Sequence, residues 1–215
     1  MRIIGLAGWS GAGKTTLAAK LIPGIMARGL TVSTVKHAHH AFDVDQPGKD
    51  SYVHRMAGAA EVLVSSQNRF ALMRELRGAP ELTLAALLGK LMPVDLVLIE
   101  GYKRDPHPKL EVFRASVGKP LIHPDDPQVV AIASDVPVPH ASVPRVPLDD
   151  TDAIIDILLA RAAPFASSQI EVQDRMNNRG DGTIVSNALF SEPAIAIAQS
   201  DSSNVTEIEK RKGTR

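Results

Sequence analysis

The 215 residues carry 24 Lys+Arg against 24 Asp+Glu, and this zero formal net charge argues against a protein whose main task is gripping nucleic acid by its phosphates. Zero cysteines exclude disulfides, thiolate metal sites and cysteine nucleophiles. No run approaches the roughly 18 continuous apolar residues of a membrane helix, and Arg2 to Leu6 is too short for a secretory signal, so a cytoplasmic protein with no membrane contact is expected.

Taken in chain order, Arg2 to Ala7 reads as a buried strand followed by a glycine turn. Thr16 to Arg28 reads as a helix with Leu17, Leu21 and Ile25 on one stripe, ended by Gly29 and kinked at Pro23. Thr31 to Val35 is a second strand ending at Lys36. His37 to Lys49 is too rich in His, Asp, Pro and Gly for regular structure. Asp50 or Ser51 then caps a helix to about Ala59. Glu61 to Ser65 and Phe70 to Met73 are further strands, and Leu82 to Leu91 is a helix. Asp95 to Ile99 is apolar on both faces, as an interior parallel strand demands. Leu110 to Arg114 alternates, which suits an edge or half-exposed strand. Val129 to Ala133 is a buried strand, and Asp149 or Asp150 caps a last helix whose Ile154, Ile155, Leu158 and Leu159 face inward before Pro164.

Strands alternating with helices imply right-handed βαβ units and an α/β fold with a mainly parallel sheet flanked by helices. The expected domain is 1–165. From residue 166 onward, Ser167-Ser168, Asn177-Asn178 and Ser202-Ser203-Asn204 mark a low-complexity stretch, and 166–215 is expected to be a disordered tail.

Gly8 to Thr15 fits G-x-x-x-x-G-K-[ST] at every fixed position. Chance produces that pattern in roughly one such chain in two hundred, before counting the strand just ahead of it and the helix just after. Glycines let the backbone aim several amides at one phosphate, and the following helix presents its positive end to the same anion. The expected nucleotide contacts are Gly8, Ser10, Gly11, Ala12, Gly13, Lys14, Thr15 and Thr16. Lys14 can reach the outer phosphates and the Thr15 hydroxyl can ligate Mg²⁺. Glu100 follows four apolar residues, so it projects from the carboxyl edge of a buried strand, where ligands bind in open α/β sheets, and is a second metal-directed group. Asp95 belongs to the opposite end.

Three readings compete for His37 to Ser51. His37, His39 and His40 could form a metal site, although cysteine is lacking and the spacing is tight. The segment could be a solvated loop. It could also be a switch that senses the outer phosphate and Mg²⁺ through Asp43, Asp45 or Asp50, with Asp45 preferred because Asp-x-Asp followed by Pro-Gly is locally constrained.

Ala7 to Leu17, Lys20 to Pro23, Lys36 to His40, Asp43 to Tyr52 and Glu100 to Lys103 together resemble the molybdopterin-guanine dinucleotide biosynthesis adaptor family, MobB. The resemblance extends through Arg69 to Met73 and Ala131 to Pro137 to Leu148-Asp149-Asp150, about residues 1–163. It implies a P-loop fold that binds GTP with Mg²⁺, hydrolyses it weakly and forms a homodimer. It further implies a partnership with the molybdenum cofactor guanylyltransferase and work on molybdopterin or molybdenum cofactor. The residues after Ala163 and the lack of an Asn-Lys-x-Asp guanine motif depart from the family pattern. Ser134-Asp135, following a strand, is either where a base-reading carboxylate could accept from guanine N1 and N2 or an ordinary loop capped by Asp. From the residues themselves, the expected catalytic pair is Lys14 and Glu100, with Thr15, Asp45 and Glu100 around the metal. Rival readings are a GTPase metallochaperone, a P-loop small-molecule kinase and an adaptor that turns nothing over.

Overall fold

The computed structural model describes residues 1–38 and 42–165. His39, His40 and the expected tail 166–215 lie outside the described residues.

The main sheet is built from β1 (Arg2–Ala7), β2 (Val32–Lys36), β5 (Leu96–Glu100), β6 (Lys109–Phe113), β7 (Val129–Ser134), β8 (Arg145–Pro147) and the short β9 (Ala163–Pro164). Its order is β2-β5-β1-β6-β7-β8, with every neighbouring pair on that path parallel. β1 lies at the centre and shares its second edge between two partners. β6 pairs with Gly5 to Ala7, and β9 runs antiparallel against Arg2 and Ile3. Parallel strands need crossovers, and α1 (Lys14–Ala27) supplies the one from β1 to β2; α4 (Thr151–Arg161), which leads from β8 into the antiparallel β9, lies against it. Leu17, Leu21 and Ile25 of α1 join Ile154, Ile155 and Leu158 of α4 over Ile4, Leu6, Leu98 and Leu110 in one aliphatic core. Leu159 is only half-buried. The helix α1 runs on through Pro23. A smaller core on the opposite face joins Ile3, Val97 and Ile99 to Leu84, Leu88 and Phe165.

Several elements differ from the sequence expectation. The helix α2 spans Asp50–Met56, and its cap position is Lys49, whose side chain makes no capping bond. Asp50 instead stands in the first turn, where a carboxylate favours the positive helix end. The helix α3 is only Leu84–Leu88, capped by the Thr83 hydroxyl at the Ala86 amide. Beyond it, Lys90 and Leu91 donate to Leu87 and Leu88, so the remainder of the expected helix is tighter turn. The strands β3 (Glu61–Ser65) and β4 (Phe70–Arg74) do not enter the main sheet but form an antiparallel hairpin of their own.

The largest correction concerns β6. Its alternation suggested an edge, yet it lies between β1 and β7, and both polar members are buried, Lys109 at 1% and Glu111 at 0% exposure. Alternation survives because each charge is met inside the fold. The Lys109 ammonium donates to the Asp105 carbonyl at 2.8 Å and lies 3.2 Å from Asp126. Glu111 accepts from the Ile122 and His123 amides at 2.7 and 2.9 Å.

Beside this row lies His107, 3% exposed, with neither ring nitrogen hydrogen-bonded. Gly5 makes room for it, because a Cβ there would come within 2.5 Å of His107 Nε2. Burial pushes the imidazole down to about 4, Lys109 adds to the effect and Asp126 opposes it. The native state therefore favours the neutral ring. Between roughly pH 6.5 and 4 the unfolded chain binds the extra proton, so stability is complete above that window and falls on acidification, by up to roughly 3 kcal/mol. Urea midpoints compared across this range for the parent and His107→Gln should show a shallower pH slope in the variant. Equal slopes would exclude His107 as the source.

Candidate functional site

At the carboxyl edge of the sheet, β1 turns sharply into α1. Gly8, Gly11 and Gly13 have φ of 144°, 84° and 89°, backbone that other residues rarely adopt. Gly8 is constrained twice, since a Cβ there would also meet the Val112 carbonyl oxygen at 2.6 Å. The Ala12 amide closes back on the Trp9 carbonyl at 3.1 Å. Gly13 occupies the helix cap with no side-chain capping bond, and the first turn of α1 contains no acidic residue, so its positive end remains available to an anion.

Lys14 folds back over the loop, its ammonium donating to the Gly8 and Trp9 carbonyls at 3.0 and 3.1 Å. Burial lowers its pKa most; Glu100 acts against that shift, while Lys103 and Lys36 add to it. The Thr15 hydroxyl donates to Glu100 at 2.9 Å from Oε1 and 3.2 Å from Oε2. Register explains the meeting: Leu6 of β1 pairs with Glu100, the last residue of β5, and the loop that follows Ala7 brings Thr15 over it.

These residues open on a cavity of about 720 Å³. Of the expected site, Gly8, Ser10, Gly11, Gly13, Lys14, Thr15, Thr16 and Glu100 line it. Ala12 does not; it is buried beneath the loop. Asp45 is not brought to the cavity. Its carboxylate, 5% exposed, accepts from Ser51 Oγ at 2.8 Å and lies 3.5 Å from Arg55 Nε, because Arg55 reaches back from α2 and draws Asp43, Asp45 and Glu75 around itself. Ser134 and Asp135 also stand outside the lining. The Ser134 hydroxyl donates to the Val136 carbonyl at 2.8 Å, and Asp135 accepts from the Ala115 amide at 3.0 Å.

Sequence reading missed three contributors. Lys36 and Lys103 line the cavity, and Lys103 lies 4.9 Å over the Trp9 ring. Trp9 is itself held by a 2.7 Å bond to the Pro120 carbonyl. Arg114, directly after β6, donates to the Ala12 carbonyl at 3.2 Å and lies 3.7 Å from Asp135, tying the phosphate loop to the end of β7. A basic residue just past the carboxyl end of a strand was the available signal. His37 also lines the cavity, with Nε2 2.9 Å from Glu81 and its ring 4.9 Å from that of Tyr102. Among the described residues, no group of three or more His, Asp or Glu could hold a metal ion by itself.

A central parallel sheet, a glycine loop running into a helix, and a lysine and threonine beside a strand-end carboxylate define a P-loop NTPase fold. Comparison narrows the class. The family model for molybdopterin guanine dinucleotide synthesis protein B matches residues 3–135, and the chain belongs to that family. It is 42% identical over 160 residues to the molybdopterin-guanine dinucleotide biosynthesis adapter protein of Escherichia coli K12, covering 73% of this chain and 91% of that one. The corresponding protein of Haemophilus influenzae is 40% identical over 136 residues, covering 63% and 76%. A crystal structure of molybdopterin-guanine biosynthesis protein B aligns with TM-score 0.59 at 25% identity, over 74% of this chain and 98% of that one. Among the described residues no helix is long and apolar enough to cross a membrane.

Proposed function

We propose that this protein binds GTP with Mg²⁺ in the Gly8–Thr16 cradle and serves in the cytoplasm as an adapter for the guanylyltransferase of molybdopterin-guanine dinucleotide biosynthesis, with weak GTPase activity. The observation that carries the nucleotide reading is the convergence, in one cavity, of positive-φ glycine backbone, a partly desolvated Lys14 and the Thr15–Glu100 pair. The pathway and the partner rest on the family.

The residues suit the ligand. Thr15 and Glu100 supply two hard oxygens side by side, the donor chemistry that Mg²⁺ accepts. When bound, the metal neutralises phosphate charge and polarises phosphate oxygens. Loop amides and the α1 terminus orient the phosphates, and Lys14 exchanges its carbonyl partners for phosphate oxygens. A metal role for Asp45 would require it to leave Ser51 and Arg55. Guanine reading by Asp135 would likewise use a carboxylate now engaged by Ala115 and Arg114.

No Arg or Gln occurs among the described residues lining the cavity, so none of these supplies an arginine finger or a water-positioning glutamine. Turnover is therefore slow, below about one per second. Phosphate release at hundreds per second would contradict an adapter role. The homodimer reading draws on the β3–β4 hairpin, which exposes Leu63, Phe70 and Leu72 on one face, a surface suited to a second copy of the chain. The decisive test is capture of the guanylyltransferase by the purified chain, with and without a nonhydrolysable GTP analogue, beside parallel GTP and ATP titrations. Failure to capture in either state, or equal affinity for ATP, would overturn the corresponding part of the proposal.

A further inference from the structure

Lys36 ends β2 and sits in register with Glu100, which ends β5. Its ammonium lies 3.3 Å from Thr15 Oγ1 and 3.4 Å from Glu100 Oε1. The single Thr15 proton is donated to Glu100, so the threonine oxygen accepts from Lys36 and the three groups close a triangle. A lysine ammonium has three donors; Thr15 takes one, and Glu100 holds the ammonium as an ion pair. The two oxygens it touches are the pair that the proposed function gives to Mg²⁺.

We infer that Lys36 is a built-in counter-cation for the metal position. Without a divalent ion it bridges Thr15 and Glu100, keeps both oriented, and presents its remaining donors and its positive charge to an incoming triphosphate. A divalent ion, carrying twice the charge, displaces it. The Lys36 side chain is 57% exposed, so it can leave into solvent without unpacking the core. Lys14 serves a different position, since its ammonium is held by the Gly8 and Trp9 carbonyls. The consequence is a site that accepts nucleotide before metal and tolerates metal-free nucleotide better than a cradle with Lys14 alone.

This inference rests on the magnesium–nucleotide reading, and the experiment separates the two. Affinity for a fluorescent GTP analogue is measured for the full chain in EDTA and in magnesium, for the parent and for Lys36→Met and Lys36→Gln. Each variant should widen the ratio of the two dissociation constants about tenfold, the scale of one charge-assisted hydrogen bond. Equal weakening in both media would make Lys36 an ordinary phosphate ligand and overturn the inference. An unchanged ratio in both variants would overturn it too. A parent chain that binds the analogue in neither medium would overturn the nucleotide reading itself and this inference with it.

Discussion

Lys14→Ala is expected to weaken GTP and GDP binding by at least roughly a hundredfold, because two charge-assisted hydrogen bonds to phosphate, at about 1.5–3 kcal/mol each, are lost together. The fold should survive. Lys14 bonds to the Gly8 and Trp9 carbonyls, and its ammonium bears a desolvation penalty that alanine lacks. The thermal midpoint of the variant should therefore lie close to that of the parent. Titration calorimetry beside a melting curve reads both quantities. Parental affinity in a folded Lys14→Ala protein would remove the cradle from the functional account, and with it the assignment of Thr15 and Glu100.

Glu111→Ala should cost about 3 kcal/mol or more of stability. Its carboxylate is fully buried and holds the Ile122 and His123 amides, which would lose their acceptor in a place water does not reach. The effect extends to the site. Glu111 pairs with Ala7, immediately before the phosphate loop, and the segment it anchors carries Pro120, whose carbonyl fixes Trp9. Nucleotide binding should weaken even at temperatures where the variant remains folded. Glu111→Gln keeps an acceptor for one amide but turns an NH₂ toward the other, so an intermediate loss is expected. Urea unfolding of the three proteins measures the series. A Glu111→Ala chain as stable as the parent would mean that the buried carboxylate contributes nothing net.

β6 shows where pattern reading gives out. Period-two alternation reports which residues are polar, and in most strands polar means solvated. Lys109 and Glu111 are polar and buried because their partners, Asp126 and the 122–123 amides, arrive from a connection that follows the strand. The β3–β4 hairpin illustrates the complementary gap. Its two strands were legible from composition, but nothing local says whether a strand joins the central sheet or pairs only with its neighbour. Asp45 is a third case, since the short-range Asp-x-Asp pattern gives no hint of the Arg55 that engages it from the next helix.

The phosphate loop, the strand before it, the helix after it and the carboxylate at the end of β5 were written in the chain itself, because each depends on short-range chemistry: glycine backbone freedom, helix polarity and an unbroken apolar run ending in one acid. Folding alone decided which distant groups meet there. Strand order placed β5 between β1 and β2, and so brought Lys36 to Glu100 and Thr15. It set β6 on the other side of β1, which aimed Arg114 at the loop and buried Glu111 beneath it. Contacts across parallel strands depend on register between segments far apart in sequence, and no local pattern encodes that register.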